Sequence, residues 1–220
     1  GARYFELDLL LTSDNKIVAA HDWTSWKQRT KYDGAVPPDL KNFLNYKIDE
    51  KFTPLSEVEI LDWFIKHPDA TLVTDKLDDA LLIKKTFKKI QNNLIIELFT
   101  KKSIEEAIKN NFSKILISQR MIYRNKYSKN YLKYLMSQKN IPYGFAVDQQ
   151  TVYNYPEFFK EAKSLGFKTY AYNINKKFNE YVLEIPGKEE EILCDLHNYI
   201  EGIYSDMIFS YDPNILNLCD

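Results

Sequence analysis

Apolar and polar positions follow two different periods along the chain, and the two periods take turns. Residues 3–11 alternate with a period of two and are rich in β-forming side chains, which predicts a strand. A polar turn at 12–15 leads to a second extended run at 17–20. Apolar positions three and four apart predict helices at 78–90 and 131–138. Alternation of strands and helices is typical of a parallel sheet built from βα units.

The same pattern continues to the end of the chain. It predicts strands at 70–74, 94–99, 115–118, 143–147, 168–174 and 202–205, and helices at 156–165 and 189–200. Thr53 before Pro54 predicts a helix start, and Ser103 with Glu106 forms a capping box that predicts another. Apart from the short return at 17–20, these elements amount to about seven strands, whereas a closed barrel needs eight. We therefore expect an α/β fold, a TIM-type (β/α)8 barrel whose first strand and helix are absent from this sequence.

The domain organisation follows from length and composition. A chain of 220 residues with 45% hydrophobic content can fill one large core, so residues 1–220 are predicted to form a single barrel domain. Segment 23–52 has few periodic apolar positions and contains Pro37 and Pro38. We interpret it as a loop excursion beside the active site, since long loops often carry function.

Charge and hydropathy exclude several classes of protein. The 30 basic and 31 acidic side chains leave a net charge of −1, which does not fit a nucleic-acid binder. No apolar run approaches the roughly 18 residues of a membrane-spanning helix, so we expect no integral membrane contact. Cys194 and Cys219 lack the spacing of a metal or redox motif and are expected to be free thiols. Compartment and oligomeric state stay open.

Glu6 and Asp8 are the first candidates for chemistry. They are two residues apart on a strand, so both side chains leave the same face, while Phe5, Leu7 and Leu9 occupy the other. In a barrel that face can be the interior at the mouth, where two carboxylates repel each other and need a cation. An oxygen-only ligand set suits Mg²⁺ or Ca²⁺. A solvent-facing acidic strand is the alternative.

His21 follows the second extended run, which places an imidazole near the same pair of acids. A lone histidine is more often structural, but its position beside two inward carboxylates favours a catalytic role. His67, next to a proline, and His197, on an acidic helix, have helix-end or surface explanations.

The segment from Arg3 to Asp22 resembles the signature of glycerophosphodiester phosphodiesterases. It contains a Glu-x-Asp strand, then a Thr-x-Asp turn, then His-Asp. Weaker matches follow in the family's order at 53–58, 166–175 and 201–206. The resemblance implies a metal-dependent enzyme that hydrolyses a small-molecule glycerophosphodiester to an alcohol and glycerol phosphate.

Carried over position by position, the resemblance implies individual roles. Glu6 and Asp8 bind the divalent metal, Mg²⁺ or Ca²⁺, and His21 is one of two acid/base histidines. Asp75 stands where the family's third metal carboxylate ends the next strand, although the family's Glu-x-Lys spacing is not reproduced. Lys76 is a candidate for contact with the phosphate, and a lysine that opens an exposed helix is the alternative.

Further candidates concern the substrate pocket. Trp23 and Trp26 follow His21 and either line a headgroup pocket or pack within the loop. Tyr172 stands where the family has Trp and Asn173 where it has Thr, which keeps an aromatic wall. Glu97 is a second acidic candidate at the mouth, grouped with the substrate-contacting residues, and its alternative role is structural.

The resemblance also implies a mechanism and leaves rivals. A cation screens the phosphate while imidazoles move protons, with a cyclic phosphate or direct attack by water as possible routes. The family's other histidine belongs to the first strand, which this sequence does not include. A non-catalytic barrel that binds a phosphate ester or a partner, and a phospholipase D-like enzyme, are the alternative functions.

Overall fold

The computed structural model describes residues 3–172 and 194–204. They fold as an α/β protein, as predicted, in which contacts divide the chain into two compact units at residues 107 and 108. Within the described residues, no helix is both long enough and apolar enough to cross a bilayer.

The first unit contains a mixed sheet with the strand order β2-β1-β3-β4. Its strands are β1 (Tyr4–Leu11), β2 (Ile17–Ala19), β3 (Thr71–Asp75) and β4 (Leu94–Leu98). Only β2 runs antiparallel to its neighbour. The helices are α1 (Trp23–Thr30), α2 (Leu40–Asn45), α3 (Glu57–Lys66), α4 (Ala80–Thr86) and α5 (Lys101–Lys109), with a 3₁₀ helix at Lys88–Asn93.

The second unit contains a parallel sheet in the order β5-β6-β7-β8. Its strands are β5 (Ile115–Ser118), β6 (Gly144–Asp148), β7 (Lys168–Tyr172) and β8 (Gly202–Ile203). The helices are α6 (Gln119–Arg124), α7 (Lys129–Met136), α8 (Gln149–Asn154) and α9 (Pro156–Ser164). Gly144 pairs with Lys168, and an added Cβ would lie 1.8 Å from the Lys168 carbonyl oxygen, so only glycine fits there.

The alternation in β1 separates an apolar face from an acidic one. Phe5 packs edge-on against Trp63 and Phe64 of α3, with ring centroids 5.0 and 6.3 Å away. This contact covers one face of the strand with a helix, as a sheet of βα units requires. Glu6 and Asp8 therefore leave the opposite face.

The start of α3 differs from the prediction. Ser56, not Thr53, is the N-cap, and the Ser56 and Glu59 side chains form a reciprocal capping box. Ser56 also bridges Val18 of β2, so the helix start is fixed by contact with a distant strand. Thr53 and Pro54 precede the helix because the capping box of Ser56 and Glu59 is the local signal at which the helix starts.

The helix α5 starts earlier than predicted, whereas α3 starts later. The helix begins at Lys101, and Ser103 lies within its first turn. The Thr100 and Ser103 side chains each accept a hydrogen bond from the other's backbone amide, and both hydroxyls donate to Asp78. The sequence does contain a reciprocal capping pair at this helix start. The pair is Thr100 with Ser103, and not Ser103 with Glu106 as predicted.

Segment 23–52, predicted to be a loop, contains the helices α1 and α2. Asp22 and Asp39 are their N-caps and accept backbone hydrogen bonds from Ser25 and Asn42. The buried side chains of the segment form an aromatic cluster around Val18, Trp26 and Phe43, against which pack Leu10, Ala20, Trp23, Tyr32, Leu40, Tyr46 and Ile48. The segment therefore packs around a small apolar core that it shares with β1 and β2.

The remaining predictions have mixed outcomes. The strand at 115–118 is confirmed with its bounds, and the other strands are confirmed within one or two residues where described. Helices α6 and α8 were not predicted. Cys194 is disulfide-bonded, so the expectation of a free thiol is wrong there. Positions 173–175, 189–193 and 205–206, together with Cys219, lie outside the described residues.

Candidate active site

Three carboxylates meet at one end of β1 and β3. The two strands are parallel, and their register pairs Asp8 with Asp75 and Glu6 with Val73. Side chains of paired residues in parallel strands point to the same face, so Asp75 joins Glu6 and Asp8. One carboxylate oxygen from each of Glu6, Asp8 and Asp75 lies within 4.8 Å of the others. We call these three residues the acidic cluster.

Glu97 on β4 is a fourth acid next to the acidic cluster. Its side chain is buried, with 6% of its surface exposed. Burial, followed by the negative charges of Asp75 and Glu6, raises the pKa of Glu97 well above that of an ordinary glutamic acid. The structure therefore places this predicted residue beside the cluster, where it is buried and Glu6 is exposed.

Asp8 also has a perturbed pKa. Burial, followed by repulsion from Asp75, raises the pKa of Asp8 to about 6, while Lys76 and His21 act in the opposite direction. Its side chain is 21% exposed, so solvent does not fully screen the neighbouring carboxylate. A carboxyl group with a raised pKa in a cluster of acids is typical of a site that receives a cation or a substrate.

Lys76 is the basic side chain closest to these acids among the described ion pairs. Its Nζ lies 3.8 Å from Asp8 Oδ1 and 3.8 Å from Asp75 Oδ2. The residue has a φ of 67°, which turns the chain directly after β3. It does not open an exposed helix, because α4 starts at Ala80. The alternative explanation for Lys76 is therefore wrong.

His21 is held close to Asp8 by the pairing of β1 with the return strand. The Ala20 amide donates a 3.0 Å hydrogen bond to the Asp8 carbonyl, and His21 follows directly. The positive form of His21 also acts on the Asp8 carboxyl group electrostatically. The imidazole side chain is 68% exposed and is accessible to a substrate.

Asp22 orients the His21 ring. Asp22 Oδ2 lies 2.8 Å from His21 Nδ1 and accepts a 2.7 Å hydrogen bond from the Ser25 hydroxyl, while Asp22 Oδ1 accepts one of 2.7 Å from the Ser25 amide. These bonds, the backbone one first, lower the pKa of Asp22, which is therefore an ionised acceptor. Nδ1 must then carry the proton, which leaves Nε2 for the substrate.

The role of Asp22 was missed at the sequence level. Asp22 belongs to the His-Asp motif, but its interactions depend on α1, which begins at the next residue and was not predicted. An Asp that follows a strand and precedes a segment without Gly or Pro is an N-cap signal that could have found it.

The aromatic candidates lie in different places. Trp26 is buried, stacks on Phe43 at 5.4 Å and packs within the aromatic cluster, as its alternative explanation expected. Trp23 is half-buried and meets Trp26 edge-on at 5.8 Å. Tyr172 ends β7 in the second unit, where its hydroxyl donates to Gln119 at 3.3 Å and its ring contacts Tyr204.

Carboxylates and a histidine at the ends of parallel strands are typical of α/β hydrolytic enzymes. Comparison with protein-family models matches residues 1–206 to the Glycerophosphoryl diester phosphodiesterase family. The chain belongs to this family and is a phosphoric diester hydrolase of the glycerophosphodiester phosphodiesterase type. The predicted family is thereby confirmed. No curated protein sequence matches the chain.

Solved structures of similar fold include several members of the same class. A glycerophosphodiester phosphodiesterase from Parabacteroides distasonis has a TM-score of 0.67 at 15% identity, covering 97% of this chain and 82% of that one. An Oleispira antarctica phosphodiesterase in complex with the product sn-glycerol-3-phosphate has a TM-score of 0.61 at 16% identity, and the match covers 94% of this chain and 82% of that one. A glycerophosphodiester phosphodiesterase from Agrobacterium tumefaciens has a TM-score of 0.59 at 14% identity, and the match covers 92% of this chain and 83% of that one. At these identities the likeness shows the fold.

Proposed function

We propose that this protein hydrolyses a glycerophosphodiester to an alcohol and glycerol phosphate, with a divalent cation at the acidic cluster and His21 in acid/base catalysis. The observation that carries the proposal is the convergence of Glu6, Asp8 and Asp75 within 4.8 Å. Membership of the family supports the substrate class.

The donor set fits a hard divalent cation. Glu6, Asp8 and Asp75 each offer a carboxylate oxygen, which is the ligand type that Mg²⁺ and Ca²⁺ prefer. The raised pKa of Asp8 supports this assignment, because burial and then the negative charge of Asp75 raise it, and a bound cation would offset both. When bound, the cation supplies charge stabilisation for a phosphate oxygen.

His21 is assigned to proton transfer. Asp22 holds the proton on Nδ1, so a neutral His21 accepts a proton at Nε2 and a charged one donates from it. The charge of His21 acts on the Asp8 carboxyl group, which supports a ring position within reach of a phosphate at the acidic cluster. We propose that Nε2 serves one of the two proton transfers that hydrolysis of a diester requires.

Other side chains are proposed to contact the substrate. Lys76 can approach a phosphate oxygen once a cation takes over its role between Asp8 and Asp75. Trp23, which is half-buried next to His21 and Asp22 in the chain, is proposed for the alcohol side. Tyr172 keeps its proposed role as an aromatic wall, which follows from the family resemblance alone.

The reaction route and the closed fold are further parts of the proposal. Attack by a neighbouring glycerol hydroxyl would give a cyclic phosphate, which water then opens. We also propose a TIM-type (β/α)8 barrel and a second acid/base histidine in addition to His21, both of which the family resemblance implies.

The deciding experiment is turnover of glycerophosphocholine by the full-length protein. We expect hydrolysis that requires Mg²⁺ or Ca²⁺, stops with chelator and falls by about 10²–10⁴-fold in His21→Ala, the usual contribution of a general acid or base. His67→Ala is the matched control, because His67 stacks on Trp63 away from the acidic cluster and should leave turnover unchanged.

Two results would contradict the proposal. Turnover that survives both chelator and His21→Ala would remove the assigned roles of the cluster and the imidazole. A full-length protein that binds Ca²⁺ but cleaves only intact phospholipids would instead favour the phospholipase D-like alternative.

A further inference from the structure

We propose that Glu97 is a fourth carboxylate ligand of the cation, which it reaches from the buried side of the acidic cluster. This inference rests on the proposed cation site and adds a ligand from a third strand. It also separates Glu97 from the residues that contact the substrate.

The strand register places Glu97 in line with two members of the cluster. The pairing of β3 with β4 runs through Leu72 with Leu94 and Thr74 with Ile96. One further step along both parallel strands brings Glu97 opposite Asp75, which is itself paired with Asp8. Neighbouring strands lie about 4.8 Å apart, so three carboxylates form one row across β1, β3 and β4.

Burial makes the position of Glu97 unusual. Only 6% of the residue is exposed, whereas Asp8 and Asp75 have side chains that are 21% and 25% exposed. The charged groups that act on the Glu97 carboxyl group include Asp75, Glu6, Lys76 and Asp8, and Lys76 is the positive one among these four.

A carboxylate in this position needs a positive partner. Burying an acid without hydrogen bonds or a counter-charge is costly, and proteins normally pair such groups or use them to bind metals. Lys76 is shared by Asp8 and Asp75, for which it provides a single positive charge at 3.8 Å. A divalent cation among the four acids supplies the missing charge and gives Glu97 a partner.

The arrangement also leaves room for the substrate. Ca²⁺ takes about 6–8 oxygen ligands, so four carboxylates still leave positions for water and a phosphate oxygen. Glu97 is buried, whereas Glu6 is exposed to solvent. A buried fourth ligand would therefore strengthen binding without taking up the solvent-exposed part of the cluster that a diester can reach.

Calorimetric titration of the metal-stripped full-length protein with Ca²⁺ alone tests the assignment. We expect Glu97→Gln to weaken the affinity at least about tenfold, as loss of a ligand or of its close support does. Glu97→Asp keeps the charge but shortens the side chain, and we expect it to lose affinity as well. Glu105→Gln, at an exposed position of α5, is the matched control and should bind like the parent protein.

The outcomes separate this inference from the proposed function. If the parent protein binds no Ca²⁺, the cation site itself fails. If the parent binds and Glu97→Gln binds equally well, only the role of Glu97 is overturned, and equal binding by Glu97→Asp would reduce that role to charge alone. Thermal unfolding without metal checks folding, and we expect Glu97→Gln to melt higher than the parent because a neutral amide replaces a buried acid surrounded by other acids.

Discussion

The acidic cluster and the aromatic cluster both include residues of β1 and are built on opposite principles. Around Val18, Trp26 and Phe43, apolar side chains bury one another, and the contacts stabilise the fold by themselves. Around Asp8 and Asp75, like charges are held together beside a single lysine. The aromatic cluster stabilises the fold without a ligand, whereas the acidic cluster gains stability only when a cation binds to it.

The same difference distinguishes structural residues from functional ones in and next to segment 23–52. The segment was predicted to be a loop at the active site, yet its two helices mainly enclose an apolar core. Its direct link to the site is Asp22, the N-cap of α1, which orients His21. The aromatic cluster thus holds the α1 start in place, and the acidic cluster and imidazole carry the chemistry.

The largest expected effect comes from a substitution in the aromatic cluster. Phe43 is fully buried and stacks on Trp26, so Phe43→Ala should lower the free energy of unfolding by about 3–5 kcal/mol. Leu44→Ala, one residue along α2 at a 37% exposed position, is the control and should cost far less. Urea unfolding measures both. A Phe43→Ala protein as stable as the parent would show that the cluster is not a core.

A smaller effect of opposite sign is expected at the acidic side. The pKa of Asp8 is raised from 3.8 to about 6, so the folded state binds this proton more tightly than the unfolded state. The contribution of Asp8 to stability is therefore present below pH 4 and is lost as the pH rises to 6 and above. In metal-free protein, Asp8→Asn should melt higher than the parent at pH 7.5, and the difference should shrink at pH 4.5.

The comparison at two pH values has its own control. Asp69→Asn changes an exposed aspartate and should shift the melting temperature equally little at both pH values. If Asp8→Asn lowers the melting temperature at pH 7.5, Asp8 is a stabilising group and not one held in a repulsive cluster.

The smallest effect concerns the helix that supports both regions. Ser56 caps α3 and bridges Val18, so Ser56→Ala should cost about 1 kcal/mol of unfolding free energy. Thr53→Ala tests the start predicted from sequence and should change it by less than about 0.5 kcal/mol. Chemical denaturation distinguishes the two, and the reverse order would restore Thr53 as the cap.

Much of the fold could be predicted from local patterns. The strand Ile115–Ser118 is a short apolar run between turns, and β1 alternates cleanly, so both were predicted. Helices α1 and α2 were missed because they are short and carry few apolar positions at helical spacing. Their buried side chains Trp26 and Phe43 meet across 17 positions of sequence, which no local period reveals.

The candidate site was likewise predictable only as far as local sequence patterns define it. Glu6 and Asp8 share a face by strand geometry alone, and the family motif pointed to His21. The contribution of Asp75 depends on the register between β1 and β3, and that of Glu97 on the register between β3 and β4. Registers are set by packing between distant segments, so the sequence suggested these residues without fixing their contacts.

Equilibrium dialysis of metal-stripped protein against Ca²⁺ tests the central claim most directly, with Asp75→Asn and the control Asp69→Asn dialysed alongside. The account predicts saturable binding of one cation per chain in the parent and in Asp69→Asn, and an affinity at least about tenfold weaker in Asp75→Asn. Absence of saturable binding in the parent, or equal binding by Asp75→Asn, would contradict a cation held by Glu6, Asp8 and Asp75.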